Sequence, residues 1–598
     1  MNPTSLLHLP TELLLKIVCE LESKDLLNLG KLCRRLNLVA VPILLKEVGL
    51  PDPESSCIVK ASSHRYTDEL AALSIYFPLS TINNFYCIIS HRHDLEETFV
   101  PPSYISWLIG NIRRVNSLIS RLSSVGTVSL VIDSWGSGWS LRSDVVRDFI
   151  TSVLELAETI MRKSCTSLQI LHFHPTTVET NYNFERFEAP TTSKKLVRSI
   201  QNLTNRLVRR RVQERDLNFV GNGWRYHKAP SLFPIYCAIP RISQSRLTHI
   251  DLNSEFLLLP PFSAWTFEVL KSSPICTLVI SLPSSITKEE FALYHFPRIA
   301  ESVPKLQEIR CAFPDDHFLK TVVENLHLLP LLRKILFGLS FPTECMPMVT
   351  STPSTIKRIN LRYLSSFTGS PDQAAYFLRG PVLCPDLQFI NLISDSSYQS
   401  HTFETDYWSL AKQLGSISNS ILEMGIKPCI SLCLANIQEG TPPVSDGTTN
   451  CFQHLPIVSR LTLGVQRFSA WYDMYDAPTS HQLLIDSTLA WLNIFRGLTY
   501  LTLVVKCDQS IDHQSQLRIL SAMKIEYPGL VSVNVVNLTV HPKTYHYHWS
   551  NAHDDWERGT NDIPTTPSYK RKSRERAGLV VLQFLHPINS RDLLDAQY

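Results

Sequence analysis

The chain has 598 residues, too many for one hydrophobic core, so several domains or a long repeat array are expected. A hydrophobic fraction of 44% with a charged fraction of 19% excludes an intrinsically disordered chain. With 57 basic against 54 acidic residues the formal net charge is +3, which excludes a global pull toward nucleic acid or acidic membranes.

The N-terminus carries no secretory pattern, since Pro3, Pro10, Glu12 and Lys16 interrupt any apolar core. The 14 cysteines include no C-x-x-C pair and are expected to be reduced thiols, mostly small buried hydrophobes. No apolar run approaches the roughly 18 residues that span a bilayer. An intracellular protein, cytoplasmic and/or nuclear, is expected.

The first element is the stretch "LHLPTELLLKIVCELESKDLLNLGKLCRRLNLVAVPILLKEV", residues 7–48. Thr11 is placed to cap a helix in which Leu13, Leu14, Ile17, Val18 and Leu21 recur at helical spacing. Ser23 or Asp25 can cap a second short helix with Leu26 and Leu27. Leu29, Leu32, Cys33, Leu36, Val39 and Ala40 then form one stripe, with Lys31, Arg34, Arg35 and Asn37 opposite, and Pro42 should stop it. Three such short helices cannot bury so many leucines internally. The surplus either docks on the rest of the chain, as an N-terminal cap would, or accepts a partner's helices.

These residues resemble an F-box. Leu9-Pro10-x-Glu12-Leu13, Ile17, Leu21, Asp25-Leu26, Leu29, Cys33-Arg34 and the closing Pro42-x-Leu44-Leu45 fall at that family's positions. Leu32 stands where the family often has Val, and Lys46 where many relatives carry Tyr or Trp. The resemblance, which is to fungal-type F-box proteins, covers about the first 48 residues. It implies docking on a Skp-family adaptor, and through it a cullin, by Leu9, Pro10, Leu13, Leu14, Ile17, Leu21, Leu26, Leu29, Cys33 and Leu36.

Residues 49–123 are expected to form a helical linker or cap. From 124 to 598 one pattern recurs: a helical stretch, a Pro or Gly break, then a short strand with the core L-x-x-I/L-x-L. Instances lie at 163–173, 245–254, 273–282, 302–313, 328–339, 351–361, 382–393, 454–465, 495–505 and 526–540. From Thr248 to Asp386 the strands recur about every 24 to 31 residues, a period that suits a leucine-rich-repeat-like solenoid. Its Asn ladder position is filled only by Asn253 and Asn391. A doubly wound sheet also alternates strands and helices, but it needs a Gly-rich first turn that 20 glycines do not supply.

The expected fold is therefore α/β: a three-helix F-box followed by an irregular solenoid of short parallel strands and helices. Insertions at 175–245 and 541–576 should project as loops, and "GLVVLQFL" at 578–585 should be a closing strand. The first insertion holds Arg209, Arg210, Arg211, Trp224 and Tyr226, a combination suited to contacting a protein substrate.

Chemical signatures are sparse. The pairs His91/His93, His172/His174 and His546/His548 each lack a third and fourth metal ligand at short spacing. "WGSGWS" at 135–140 has the wrong spacing for a nucleophile elbow, and no phosphate-binding G-x-x-x-x-G-K-[ST] loop is present. Cys429 and Cys433 suit buried core better than a nucleophile. The chain should be no enzyme and need no cofactor or metal. It is expected to be the substrate-recognition subunit of an SCF-type ubiquitin ligase, with a non-catalytic repeat scaffold as the alternative.

Overall fold

The computed structural model describes residues 9–61, 69–89, 103–133, 143–173, 182–186, 224–228, 245–260, 262–281, 286–312, 316–338, 359–379, 382–395, 403–438, 458–466, 495, 497–506, 517, 520–521, 523–525, 527, 529–537, 543–550 and 555–558. They fall in two compact units, Met1–Leu306 and Gln307–Tyr598.

The first unit opens with three helices, α1 (Thr11–Val18), α2 (Ser23–Leu32) and α3 (Arg34–Glu47). Strands β1 (Ser56–Ala61), β2 (Thr81–Ile89), β3 (Ser124–Asp133) and β4 (Ser167–Phe173) follow, joined by α4 (Glu69–Ile75), α5 (Ser103–Arg121) and α6 (Ser143–Arg162). An antiparallel pair, β5 (Tyr182–Arg186) with β6 (Trp224–Lys228), precedes β7 (His249–Leu252) and β8 (Thr277–Ser281). β1, β2, β3, β4, β7 and β8 are neighbours in chain order and all parallel.

In the second unit β9 (Glu308–Ala312), β10 (Lys334–Phe337), β12 (Ser366–Gly369), β14 (Phe389–Asp395), β15 (Cys429–Gln438), β16 (Val458–Gln466), β17 (Tyr500–Lys506) and β18 (Ser532–Asn537) are likewise parallel and in chain order. β11 (Ile359–Asn360) and β13 (Val382–Leu383) pair only with each other. Within each unit the strand order never reverses, so the switch point of a doubly wound sheet is absent among the described strands.

Alternation explains the layers. Cys57, Val59 and Ala61 of β1, Val128, Leu130 and Ile132 of β3, and Ile430, Leu432 and Leu434 of β15 are all buried. They line one side of the sheet, where the helices close the core. α5 contributes Ile105, Leu108, Ile112, Val115 and Ile119, and α6 contributes Ile150, Val153, Ala157 and Ile160, each set spaced three or four apart.

A second device repeats at the strand starts. The N–H groups of Thr248 and His249 both donate to the carbonyl of Thr166, at 2.9 and 3.0 Å, and those of Cys276 and Thr277 to Thr248 at the same distances. Gln388 and Phe389 do the same to Ser365 at 3.0 Å each. Where the leading residue is Ser or Thr, its hydroxyl adds a bond to the preceding repeat: Ser123 to Ser80 at 2.8 Å, Thr248 to Thr166 at 3.1 Å, Thr499 to Ser459 at 3.0 Å. The hydroxyls and the backbone share the repeat's carbonyls, so the small polar residue ahead of each strand is structural.

Several expectations are corrected. The parallel sheet begins at Ser56, not after residue 123: the 49–123 segment contributes β1 and β2 as well as α4 and α5. Small Cys57 and Ala61, and polar Asn83 and Asn84, hide the alternation in these two strands. The predicted strand at 351–361 does not join the main sheet; Ile359–Asn360 pairs with β13, and the sheet position is taken by Ser366–Gly369. The 541–576 segment is not simply a loop. β19 (Lys543–Ser550) pairs antiparallel with β18, and β20 (Asp555–Arg558) pairs with β19. Its Thr, Tyr and Trp residues favour strands although the segment is polar. Cys429 and Cys433 are half-buried, and the Cys429 thiol lies 3.3 Å from the Ser459 hydroxyl. The closing strand expected at 578–585 lies outside the described residues.

Two readings of the N-terminal helices also change. α3 runs through Pro42, which stopped the helix in the sequence reading. A proline inside a helix costs about 3 kcal/mol. Burying Leu44 and Leu45 in the turn beyond it returns roughly 1.5 to 3 kcal/mol each. The single stripe from Leu29 to Ala40 is split, because Cys33 is extended (φ −159°, ψ 166°) and separates α2 from α3.

Candidate partner-docking face

The N-terminal helices have two apolar faces with different fates. On α1, Leu14 and Val18 point inward while Leu13 and Ile17, one residue before each, stay 47% and 44% exposed. Spacing of four keeps each pair on one face of the helix. Leu32, at the end of α2, is 72% exposed, and Leu38 on α3 is 47% exposed.

Of the ten residues expected to meet an adaptor, Leu13, Ile17 and Pro10 are exposed, and Leu9, Leu21, Leu29 and Cys33 are half-buried. Leu14, Leu26 and Leu36 are buried within the chain itself and cannot reach a partner without unfolding these helices. They shape the face from behind. Arg35 fixes its beginning, donating from Nη2 to the carbonyl of Leu9 at 2.6 Å and so tying the approach to α1 onto α3.

The inward face packs on the chain's own first repeat. Leu26, Leu27, Val41, Leu44 and Leu45 are buried, as are Leu70, Ala72 and Leu73 of α4, the helix that meets both α2 and α3. Asn37 stands at their junction. Its Nδ2 donates to the carbonyls of Gly30 (2.9 Å) and Ile75 (2.7 Å), and its Oδ1 accepts from the N–H of Phe77 (3.0 Å). One buried side chain thus joins α2, α3 and the end of α4. The sequence reading had put Asn37 on the polar outer side; the structure corrects this.

Gly30 allows the same close approach, since a Cβ there would lie 2.6 Å from Cγ2 of Val41 and 3.1 Å from Cδ1 of Ile75. Arg121 completes the joint by donating to the carbonyls of Leu73 (2.8 Å), Ser74 and Tyr76 (3.1 Å), the last carbonyls of α4. The docking that Lys46 left without its customary aromatic is supplied by these residues. A mid-helix Asn and Gly, both poor helix formers, were the signals in the sequence that could have revealed the joint.

The residues expected to meet a substrate are placed only in part. Arg209, Arg210 and Arg211 lie outside the described residues. Trp224 and Tyr226 are on β6, paired in register with Arg186 and Phe184 of β5. The Phe184 ring packs edge-on against Tyr294 at 6.0 Å, and Tyr294 packs edge-on against Phe267 at 6.2 Å. Tyr294 belongs to a π-helical turn, Phe291–His295, and Phe267 to the helix Phe262–Ser272. The hairpin is therefore set against the helical layer, whereas the strand face expected beside it looks away from that layer.

No chemistry competes with docking among the described residues. Burial, reinforced by Glu69, pushes the Cys57 thiol up to about 12, and burial does the same for Cys165 and Cys384. Such thiols stay protonated and are poor nucleophiles. No group of three or more His, Cys, Asp or Glu residues is gathered for a metal, and no helix is long and apolar enough to cross a membrane, among the described residues. The two described members of the H-x-H pair on β19, His546 and His548, pair across to Asn534 and Ser532.

No curated protein shows significant sequence similarity to the chain. Residues 6–48, the stretch that holds α1, α2, α3 and both of their apolar faces, match the F-box-like family.

Proposed function

We propose that this chain is the substrate-recognition subunit of an SCF-type ubiquitin ligase. Leu13, Ile17 and their exposed neighbours dock a Skp-family adaptor, the adaptor brings a cullin, and the remaining residues hold a protein substrate. The observation that carries this reading is the unpartnered apolar face of α1 within the stretch matching the F-box-like family. An exposed pair of large aliphatics on a helix otherwise packed on its own chain is an interface signature. The chain performs no bond chemistry of its own; it raises the effective concentration of substrate lysines near a ubiquitin thioester.

Chain-order parallel strands with a hydrogen-bonded rung at each strand start support reading the rest as an irregular leucine-rich-repeat-like solenoid, whose uncovered strand face offers extended contact. The fungal-type likeness rests on the sequence pattern of the first 48 residues. Arg209, Arg210, Arg211, Trp224 and Tyr226 remain the proposed substrate contacts, and deleting residues 205–228 should change the set of captured partners.

The deciding experiment is capture of the full chain from cells with Leu13→Asp and Ile17→Asp. Adaptor and cullin should be lost while proteins held by the array accumulate on the variant. Partners at unchanged levels would favour the scaffold reading, and adaptor retained at wild-type level would refute docking through this face.

A further inference from the structure

Phe77 follows α4 and lies outside the 6–48 stretch, yet the helical module holds it at two points. Its N–H donates to Oδ1 of Asn37 at 3.0 Å, and the guanidinium of Arg34 lies over its ring, 4.8 Å from the centroid. The ring is still 62% exposed. A scattered exposed Phe is ordinary, but here the side chain is pinned by backbone and by cation–π contact and still presented to water.

Its neighbours connect it to the face described above. Leu38 is four residues after Arg34 and three after Arg35, so on α3 it borders both. Arg34 covers Phe77 on one side, and Arg35 holds the carbonyl of Leu9 on the other, four residues ahead of Leu13. Phe77, Leu38, Leu13 and Ile17 thus lie along one exposed apolar strip, with Arg34 and Arg35 at its border.

We propose that Phe77 is an anchor for the same Skp-family adaptor, so that the docking surface crosses from the helical module onto the first repeat. This rests on the docking reading above. The partner surface it fits is an apolar pocket with carboxylates at its rim, because the charges bordering this end of the strip are the two arginines. Asn37 then has a positioning role, holding the anchor without touching the partner.

The test is titration of purified Skp-family adaptor into the full-length chain. Phe77→Ala should weaken binding about tenfold and Arg34→Ala by a few-fold. Leu13→Asp with Ile17→Asp in the same series should abolish it. If that pair abolishes binding while Phe77→Ala binds like wild type, the strip ends at the module and this inference is overturned, with the docking reading intact. If the pair binds like wild type, the docking reading falls and this inference with it. Should Phe77→Ala lower the melting temperature, Leu38→Asp decides, being exposed and outside the Asn37 joint: tenfold weaker binding supports the strip and wild-type binding overturns it.

Discussion

The inward and outward faces of the N-terminal helices are made of the same residues, chiefly leucine, and end differently. Leu14 and Leu44 are closed off from water, whereas Leu13 and Ile17 are left in it. The difference lies outside the helices. The chain supplies α4, with Leu70 and Leu73, to one face and no described element to the other. An apolar residue's fate is set by whether a complementary surface is present, and an apolar pattern alone does not say whose surface it is.

Substitutions should separate the two faces by size of effect. Leu44→Ala removes a buried side chain at the joint and should cost about 2 to 5 kcal/mol, measured by chemical denaturation of the full chain. An equal truncation at exposed Leu32 should stay within about 0.5 kcal/mol. If the two costs were alike, the distinction between faces would collapse.

Interior closure in the first unit also has a pH signature. His295 is wholly buried beside Tyr294, and burial, with a smaller contribution from Arg298, holds its pKa down near about 3. The unfolded chain takes up a proton there at the ordinary histidine pKa of about 6.5, and the folded chain does not. Stability should therefore fall as pH drops from about 6.5 toward 3 and be insensitive to this group above that window. His295→Gln should flatten that dependence in a series of melts; an unchanged slope would show that His295 is not held neutral.

At the joint itself, Asn37→Ala strands two carbonyls and one N–H and should cost about 2 to 3 kcal/mol, since buried polar groups left without partners carry their full desolvation penalty. Hydrogen exchange should report it as faster exchange at Phe77. Arg121→Ala removes the cap on α4 and should cost about 1 kcal/mol, the smallest effect of the set.

The sequence made the three N-terminal helices and most of the regular strands legible, because leucine spacing and the L-x-x-I-x-L core directly reflect burial. It hid what depends on partners distant along the chain. Asn37 reads as a surface residue until the carbonyl of Ile75, 38 residues on, is placed beside it. β1 and β2 were missed because their buried positions are filled by cysteine and alanine as well as large aliphatics. Pro42 looked like a stop because local propensity was not weighed against the burial of Leu44 and Leu45 beyond it. On the docking face, composition named the right helices but could not separate Leu13 from Leu14, which differ only in the direction they face.

The central claim is that the outward face belongs to another protein. Isothermal titration of a purified Skp-family adaptor into wild-type and Leu13→Asp/Ile17→Asp chains, each with its own thermal melt, tests it most directly. Burial of two such side chains is worth roughly 1.5 to 3 kcal/mol each, so the pair should weaken binding about a thousandfold or abolish it. The melt should move little, because both positions are already exposed. Wild-type affinity in the variant, or a melt that collapses along with binding, would contradict the claim.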